Sequence, residues 1–361
     1  MTTAHDKDTA LKALTAQQIL AIPVSEPEHI FTGEEVALKA EFKALSKLWH
    51  PDLNNDIQAK DVFAHINELN TTAKKKLLAG TWTIPGLLRL TSTAGRVYQL
   101  KYLKKHSFEL GTFYISQNTV TFVIDKMTGG DLALNGLGAL KGISFADDKL
   151  RKEFTRTLPE LVKNFDTQDA IVCVFKKDPD MILLADLSEH ILAMTGKRLD
   201  SKHVAWITSR LLSLSCFLQL NGLTHNGIAA STVFVSPEMH TAALMGGWWY
   251  AAKENTSLKG LPGTALDVVP SGVLSSGKAT RRVDLELVRA VGRDLLGDPT
   301  GSLILRDKNL PKAMTQWLTN STSGDAFKDF QNWSEDILKS SFGARRFTEL
   351  KVSFSDVYPP L

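Results

Sequence analysis

The chain is poor in cysteine, in net charge and in long apolar runs. Two cysteines in 361 residues exclude a disulfide framework and a cysteine-rich zinc module. Cys173 and Cys216 both lie in apolar runs, so we expect buried thiols in a reducing compartment. A formal net charge of +3 gives no reason to expect nucleic acid as a partner. No stretch approaches the about 18 consecutive apolar residues of a membrane-spanning helix.

The N-terminus also lacks the features of a signal peptide. Asp6 and Asp8 stand where such a peptide would carry positive charge and then an apolar core. We therefore expect a cytoplasmic protein without a membrane partner. The composition, 43% hydrophobic and 22% charged, is that of soluble globular protein, and the length predicts two domains of unequal size.

Two amphipathic helices are predicted within a helical pattern that runs from residue 10 to residue 78. Apolar residues recur at spacings of three and four from about Glu34 to Trp49: Leu38, Phe42, Leu45 and Leu48. After a loop from Pro51 to Gln58, a second stripe has the same period: Val62, Phe63, Ile66, Leu69 and Ala73. Two such helices bury their stripes against each other, so we expect the loop to form an exposed hairpin tip.

The tip carries the sequence His50-Pro51-Asp52. Pro51 cannot continue a helix and restricts the backbone of His50, so we expect a stiff turn that presents the His50 ring at its edge. Asp52 can pair with a cation on a partner. On the first helix, three lysines at four-residue spacing form a basic ridge that leads to the turn, namely Lys39, Lys43 and Lys47.

These residues resemble the J-domain of DnaJ-type co-chaperones. The segment from Glu41 to Asp52 is similar to helix II and the loop of that family, and the segment from Phe63 to Leu69 is similar to its helix III. The resemblance implies a module that docks on a DnaK-type chaperone and stimulates its ATP hydrolysis. His50, Pro51 and Asp52 would form the functional turn, with Lys39, Lys43 and Lys47 as chaperone contacts. The family's fourth helix is not recognisable, and its cysteine-rich module for holding unfolded substrate is absent.

A change of pattern follows residues 81–96, which contain Gly86, Gly95 and Pro85 and predict a partly packed linker. Alternating residues then predict three strands, a helix and two further strands. The predicted bounds are Tyr98 to Leu103, Phe108 to Ile115 and Thr119 to Ile124 for the first strands, Asp147 to Phe165 for the helix, and Ala170 to Phe175 and Met181 to Ala185 for the last strands. Beyond Asp186 the pattern is helix or loop.

Five strands with a helix after the third, followed by a mostly helical half, resemble the protein-kinase fold. The segment from Leu223 to Val235, preceded by an apolar helix from Val204 to Leu220, is similar to a kinase catalytic loop. The segment from Arg282 to Val288 is similar to the start of the large buried helix after the activation segment. The resemblance implies that Asp284 accepts backbone hydrogen bonds from the catalytic loop.

The groups that phosphoryl transfer needs are missing from the positions where this resemblance would place them. Gly227 stands at the base position, Thr232 at the metal-binding amide, and Met245 or Gly246 at the second metal carboxylate. Asp125 stands where the resemblance would place the lysine that binds the phosphates. Lys126 would take that role only if the register of the strand slipped by one residue.

The remaining parts of a kinase site are no better preserved. The first predicted turn, from Leu103 to Phe108, contains no glycine. Glu153 could be the glutamate of the family's helix C, but it has no lysine to pair with. We interpret the domain as a pseudokinase without cofactor or metal, in which His225 is a packed structural histidine. Trp248 and Trp249 are expected to pack in the core.

The predicted fold class is α+β: a small all-α helical hairpin in residues 1–80, a linker at 81–96, and a bilobal kinase-like domain in residues 97–361 with an antiparallel five-stranded lobe and a helical lobe. Three functions remain open. The chain is a non-enzymatic co-chaperone whose kinase-like domain binds a client, or an unconventional kinase or nucleotide-binding enzyme that uses Asp125, Lys126 or Glu153 in new roles, or an adaptor that has lost chaperone binding.

Overall fold

The computed structural model describes residues 14–344 and 346–359 and divides the chain into two compact units. Of the described residues, the first unit comprises 14–89 and 98–101, and the second comprises 90–97 and 102–359. The helical pattern predicted for residues 10–13, and the acidic residues Asp6 and Asp8, lie outside the described residues.

Between residues 14 and 89, the first unit contains the α-helices α1 (Ala16–Leu20), α2 (Glu35–Leu48) and α3 (Ala59–Leu78), with a 3₁₀ turn at Pro27–His29. Helices α2 and α3 are the two predicted amphipathic helices. Most of their apolar stripe residues lie in one small core, namely Leu38 and Leu45 of α2 and Val62, Ile66, Leu69 and Ala73 of α3. The prediction is wrong for Leu48, which is 40% exposed. The α2 stripe ends on Trp49, whose side chain is also buried in this core.

The segment after α3 packs back onto the first unit through Trp82 and Thr83. The backbone N–H and the hydroxyl of Thr83 donate to buried Glu28, which also pairs with Lys76 at 2.6 Å. Burial alone would raise the pKa of Glu28, but the hydrogen bonds from Lys76 and Thr83 outweigh it and hold the pKa below its usual value. The Trp82 indole covers Gly33 so closely that a Cβ there would lie 2.1 Å from Nε1. Part of the predicted linker is therefore fixed in place.

Strands begin earlier than the sequence predicts. Strands β1 (Leu87–Thr91) and β2 (Val97–Lys101) form a separate two-stranded sheet. The expectation that a strand from Tyr98 to Leu103 opens the five-stranded sheet is therefore wrong. The first strand of that sheet is β3 (Lys104–Phe108), which covers the segment predicted as the first turn.

The five-stranded sheet of the second unit is antiparallel and has the order β3-β4-β5-β7-β6. Its other strands are β4 (Gly111–Ile115), β5 (Thr119–Asp125), β6 (Glu160–Asp166) and β7 (Ala170–Lys176), and helices α4 (Lys126–Lys141) and α5 (Asp148–Phe154) lie between β5 and β6 in the chain. The predicted class is confirmed: five antiparallel strands, with helices after the third.

Two predicted boundaries in this sheet are wrong. The helix expected from Asp147 to Phe165 ends at Phe154, apart from a 3₁₀ turn at Thr155–Thr157, and its second half is strand β6. Alternate residues of β6 are half-buried and exposed, which is the period-2 pattern of a strand at a sheet edge. The strand expected from Met181 to Ala185 is reduced to β8 (Ile182–Leu183), after which helix α6 begins at Leu184.

The rest of the second unit is mainly helical, as predicted. It contains α6 (Leu184–Thr195), α7 (Ser201–Leu220), short strands β9 (Leu223–Thr224), β10 (Val233–Ser236), β11 (Thr241–Leu244) and β12 (Ala252–Lys253), and then α8 (Gly263–Leu266), α9 (Ser271–Ser276), α10 (Arg281–Leu295), α11 (Lys312–Thr319), α12 (Ala326–Gln331), a π-helical turn at Asn332–Ile337, α13 (Leu338–Phe342) and α14 (Phe354–Val357).

One continuous apolar core joins the sheet and the helices of the second unit. Cys173 on β7 and Cys216 on α7 are free thiols in this core, and burial raises the pKa of each to about 12. The prediction of buried thiols is confirmed. None of the helices within 14–344 and 346–359 is long and apolar enough to cross a membrane.

Candidate functional site

The His50-Pro51-Asp52 sequence lies in the exposed turn between α2 and α3. The His50 Nδ1 atom accepts a hydrogen bond from the backbone N–H of Asp52 at 3.2 Å. The edge of the His50 ring contacts the Phe63 ring, with centroids 5.3 Å apart at 70°. His50 is thus held in one orientation, while its side chain remains 40% exposed and that of Asp52 remains 86% exposed.

The rest of the loop is ordered by a chain of side-chain hydrogen bonds. The Asn54 side chain donates to the carbonyl of Leu48 at the end of α2 and accepts from the backbone N–H of Asp56. Asp56 in turn accepts from the backbone N–H of Gln58, which precedes the first residue of α3. These bonds satisfy backbone groups at both helix ends and make the turn a preorganised surface.

The basic ridge on α2 is exposed along its whole length, at Lys39, Lys43 and Lys47. Lys39 pairs with Glu35 at 3.4 Å, but both side chains are more than 70% exposed, so the pair contributes little to stability. The ridge therefore lies on the solvent side of α2, opposite the buried Leu38 and Leu45, as the spacing predicts.

Sequence reasoning missed two apolar side chains beside the turn. Leu53 is 69% exposed and Ile57 is 97% exposed. The signal was their position in an otherwise polar loop, where an apolar side chain has no core to enter. Together with His50 and Asp52 they give the turn a mixed polar and apolar surface.

In the second unit, buried Asp284 at the start of α10 holds the segment that resembles a catalytic loop. Its Oδ2 accepts from the backbone N–H of His225 and its Oδ1 from that of Asn226, both at 2.7 Å. This is the contact that the resemblance implies for Asp284. Burial raises the pKa of Asp284 to about 7, although the two backbone hydrogen bonds act to lower it.

His225 is fully buried, and the burial lowers its pKa to about 3. Its Nδ1 accepts from the backbone N–H of Gly227, and the edge of its ring meets Trp248 with centroids 4.9 Å apart. A neutral ring in such a position packs the loop, as the sequence predicts, and is not accessible for acid-base work.

Gly227, where the resemblance would place the catalytic base, lies against Gly247. A Cβ added to Gly227 would lie 3.1 Å from the carbonyl oxygen of Gly247, a tight contact. Gly247 has a φ of +81°, and a Cβ there would lie 2.7 Å from the Gly227 carbonyl oxygen. The two backbones are in direct contact, and the glycine at position 247 permits that approach.

Thr232 and Met245, where the resemblance would place metal ligands, pack in the same loop. The Thr232 hydroxyl donates to the carbonyl of Gly227 at 2.8 Å, and the Thr232 carbonyl accepts from the backbone N–H groups of Met245 and Gly246. The Met245 side chain is 2% exposed.

The polar residues around β5 have structural partners. Asp125 caps helix α4, because its Oδ1 accepts from the backbone N–H groups of Met127 and Thr128 at 2.9 Å. Lys126 is bound to the carbonyl of Thr167 at 2.6 Å and to Asp166 at 3.2 Å, in the turn between β6 and β7. Glu153 is an exposed residue of α5. The structure therefore does not bring Asp125, Lys126 and Glu153 together in one site.

Aromatic side chains fill the space between the sheet and the loop segment. Trp249 is 2% exposed and packs on Phe122 of β5, with ring centroids 5.0 Å apart, and on Phe108 of β3 at 6.3 Å. Trp248 is 1% exposed, so both tryptophans lie in the core as predicted.

The turn between β3 and β4 is closed onto this core. Tyr250 donates a hydrogen bond to Glu109 in the turn, and the neighbouring Leu110 side chain is 6% exposed. Gly111, the first residue of β4, follows the turn, and a Cβ there would lie 2.1 Å from the carbonyl oxygen of Val123. The glycine thus permits strand pairing and does not supply a flexible cover.

A second buried carboxylate, Asp186 on α6, was missed by sequence reasoning. It binds Lys104 at 2.6 Å, His106 at 3.0 Å and the Tyr358 hydroxyl at 2.6 Å. Burial alone would raise the pKa of Asp186, but these partners, His106 first, hold it below its usual value. The partners are separated from Asp186 by up to 172 positions in the chain, so no local pattern could have found them.

The chain is similar to solved structures. No protein-family model matches the chain, and no curated protein matches it. Among the solved structures that match is "Structure of vaccinia related kinase 3", with a TM-score of 0.45 and 17% sequence identity, over 70% of this chain and 91% of that chain.

Proposed function

We propose that the chain is a J-domain co-chaperone that recruits a DnaK-type chaperone through the His50-Pro51-Asp52 turn and stimulates its ATP hydrolysis. The observation that carries the proposal is the state of that turn. His50 is fixed by Asp52 and Phe63 and is still 40% exposed, and Asp52 is 86% exposed. A turn with only a structural role has no need of an ordered but exposed imidazole and carboxylate.

The surface next to the turn suits a partner with acidic and apolar groups. Lys43 and Lys47 are exposed and have no ion-pair partner among the described residues. Leu53 and Ile57 add apolar area that would be buried on binding. Exposed charge of this kind mainly raises the association rate and is sensitive to salt.

The second unit, in this proposal, is a kinase-like domain without phosphoryl transfer activity that binds a client protein or another partner. Two observations support this part of the proposal: the backbones of Gly227 and Gly247 approach each other closely, and the ring of Trp249 packs on that of Phe122. Loss of a single catalytic carboxylate costs orders of magnitude in rate, and here no group in the region replaces it.

The alternative, an unconventional kinase or nucleotide-binding enzyme, has a direct test. Calorimetric titration of the full chain with magnesium ATP measures nucleotide binding directly, so it distinguishes the alternative from the proposal. Heat of binding at a 1:1 ratio would favour the alternative, and its absence up to millimolar nucleotide supports the proposal.

The proposed function itself is tested by the rate of ATP hydrolysis of a DnaK-type chaperone with and without the full chain. We expect stimulation, and we expect Lys43→Glu with Lys47→Glu to lower it most strongly at low salt. Lys74→Glu with Lys75→Glu, which reverses two exposed charges on α3, is the matched control and should change it less. Equal loss in both pairs would mean that net charge alone matters and would refute a role for the ridge.

A further inference from the structure

A cavity of about 790 Å³ lies in the second unit, away from the loop segment and from Asp186. It is formed by α7, the turn between β10 and β11, and the segments that precede and follow α13. Part of its lining is apolar, from Ala205, Phe330, Leu338 and Phe342. The volume and the mixture of apolar surface with a few polar groups are those of a small-molecule site.

Positive charge dominates at the cavity. Lys202, Arg210 and Arg346 line it, against the single carboxylate of Glu153. Lys202 and Arg210 are exposed residues spaced eight positions apart on α7, with Trp206 between them, so the three share one face of the helix. Within the described residues, none of the three cations forms an ion pair with a carboxylate. The other titratable group, His240, has its pKa lowered by burial and by Arg210.

The wall beside these cations is built from three stacked rings. The His240 ring lies between Trp206, at 4.6 Å and 3°, and Phe347, at 4.3 Å and 18°. The Arg210 Nε atom donates to the His240 carbonyl at 2.7 Å, which fixes the turn to α7. A wall held in this way loses little conformational freedom when a ligand binds.

We propose that this cavity binds a single-chain amphipathic organic anion. The apolar body would lie against Phe330, Leu338 and Phe342, and the anionic head would meet Lys202 and Arg346. A neutral molecule would leave the cations without a partner, and a small ion would leave the apolar lining in contact with water.

The test is calorimetric titration of the full chain with decanoate, with decanol and acetate as the two half-ligands. We expect decanoate to bind at a 1:1 ratio and at least tenfold more tightly than either half. Lys202→Gln with Arg346→Gln should weaken decanoate at least tenfold, the loss expected from one or two charged contacts. Arg306→Gln with Lys308→Gln, two exposed cations outside the cavity, is the matched control and should leave binding unchanged.

Ser213→Trp provides a second variant, because Ser213 lines the cavity and an indole there would occupy part of it and weaken decanoate binding. Thermal unfolding checks that the variant is folded. The proposal is overturned if decanoate does not bind to the folded protein, if decanol or acetate binds as well as decanoate does, or if the control pair loses as much as the cavity pair. If Ser213→Trp does not fold, the two charge pairs still decide the question.

Discussion

The ring of Trp249 lies against the ring of Phe122, with centroids 5.0 Å apart at 69°. Trp249 follows the segment that resembles a kinase catalytic loop, and Phe122 lies on the third strand of the five-stranded sheet. The contact joins the five-stranded sheet and the rest of the second unit into one core.

Trp249→Ala should therefore destabilise the second unit by about 3 to 5 kcal/mol, the usual cost of removing a large buried aromatic side chain. Phe327→Ala, at a residue that is 45% exposed, should cost far less. Urea unfolding followed by circular dichroism measures both free energies of unfolding. Similar small losses in the two variants would show that Trp249 does not hold the halves together.

Gly247→Ala tests the backbone contact with Gly227. We expect a loss of more than about 2 kcal/mol, because the added Cβ meets a φ of +81° and the Gly227 carbonyl oxygen at 2.7 Å. Gly196→Ala is the control, because Gly196 has a φ of +66° but open space around it. Only the cost of the backbone conformation applies there, about 1 kcal/mol. If the two variants unfold at the same urea concentration, the close approach of the two glycines has no energetic weight.

Asp284→Asn tests the carboxylate under the loop. The variant should lose stability, because an amide can accept only one of the two hydrogen bonds from His225 and Asn226 and leaves the other N–H unpaired. The loss should depend on pH in a definite direction. The pKa of Asp284 is about 7 in the folded state, above its unfolded value near 4, so the folded state binds the proton more tightly.

The stabilisation that Asp284 provides through this proton is complete below about pH 4 and is lost as the pH rises toward 7. The difference in unfolding free energy between the native chain and Asp284→Asn should therefore be larger at pH 5 than at pH 8, while all other titrating groups cancel. A difference that grows with pH would mean that Asp284 is ionised in the folded protein.

Tyr358→Phe tests the link between Asp186 and the C-terminal segment. The hydroxyl donates to Asp186 at 2.6 Å and accepts from the backbone N–H of Leu183 at 3.1 Å, so its removal should cost about 1 to 3 kcal/mol. We expect faster digestion of the segment after Leu350 by a protease. Tyr102→Phe, at a half-buried tyrosine, is the control, and equal digestion rates would contradict the role given to Tyr358.

The parts of the fold that were predicted correctly depend on local pattern. The spacing of Leu38 and Leu45 predicts α2 to within one residue at each end, and the stripe from Val62 to Ala73 predicts α3. The burial of Trp248, Trp249 and His225 was also foreseen, because large or neutral side chains within an apolar context enter the core.

The parts that were missed depend on partners far away in the chain. The pattern predicts the end of a helix for the residues from Glu160 to Asp166, but they form strand β6 by pairing with β7. It predicts a turn for Lys104 and His106, yet both lie in strand β3 and reach Asp186 about 80 positions later. The sequence predicts that Trp249 is buried, but not that its ring packs on Phe122 or that Gly247 lies against Gly227.

The most direct test of the central claim is the ATP turnover of a DnaK-type chaperone in the presence of the full chain and its His50→Gln variant. His29→Gln is the matched control, because it makes the same change in the same unit at a side chain with nearly equal exposure, 39% against 40%. Thermal unfolding confirms that both variants fold. The account predicts full stimulation by the control and none above the unstimulated rate by His50→Gln; stimulation that is retained in His50→Gln would contradict it.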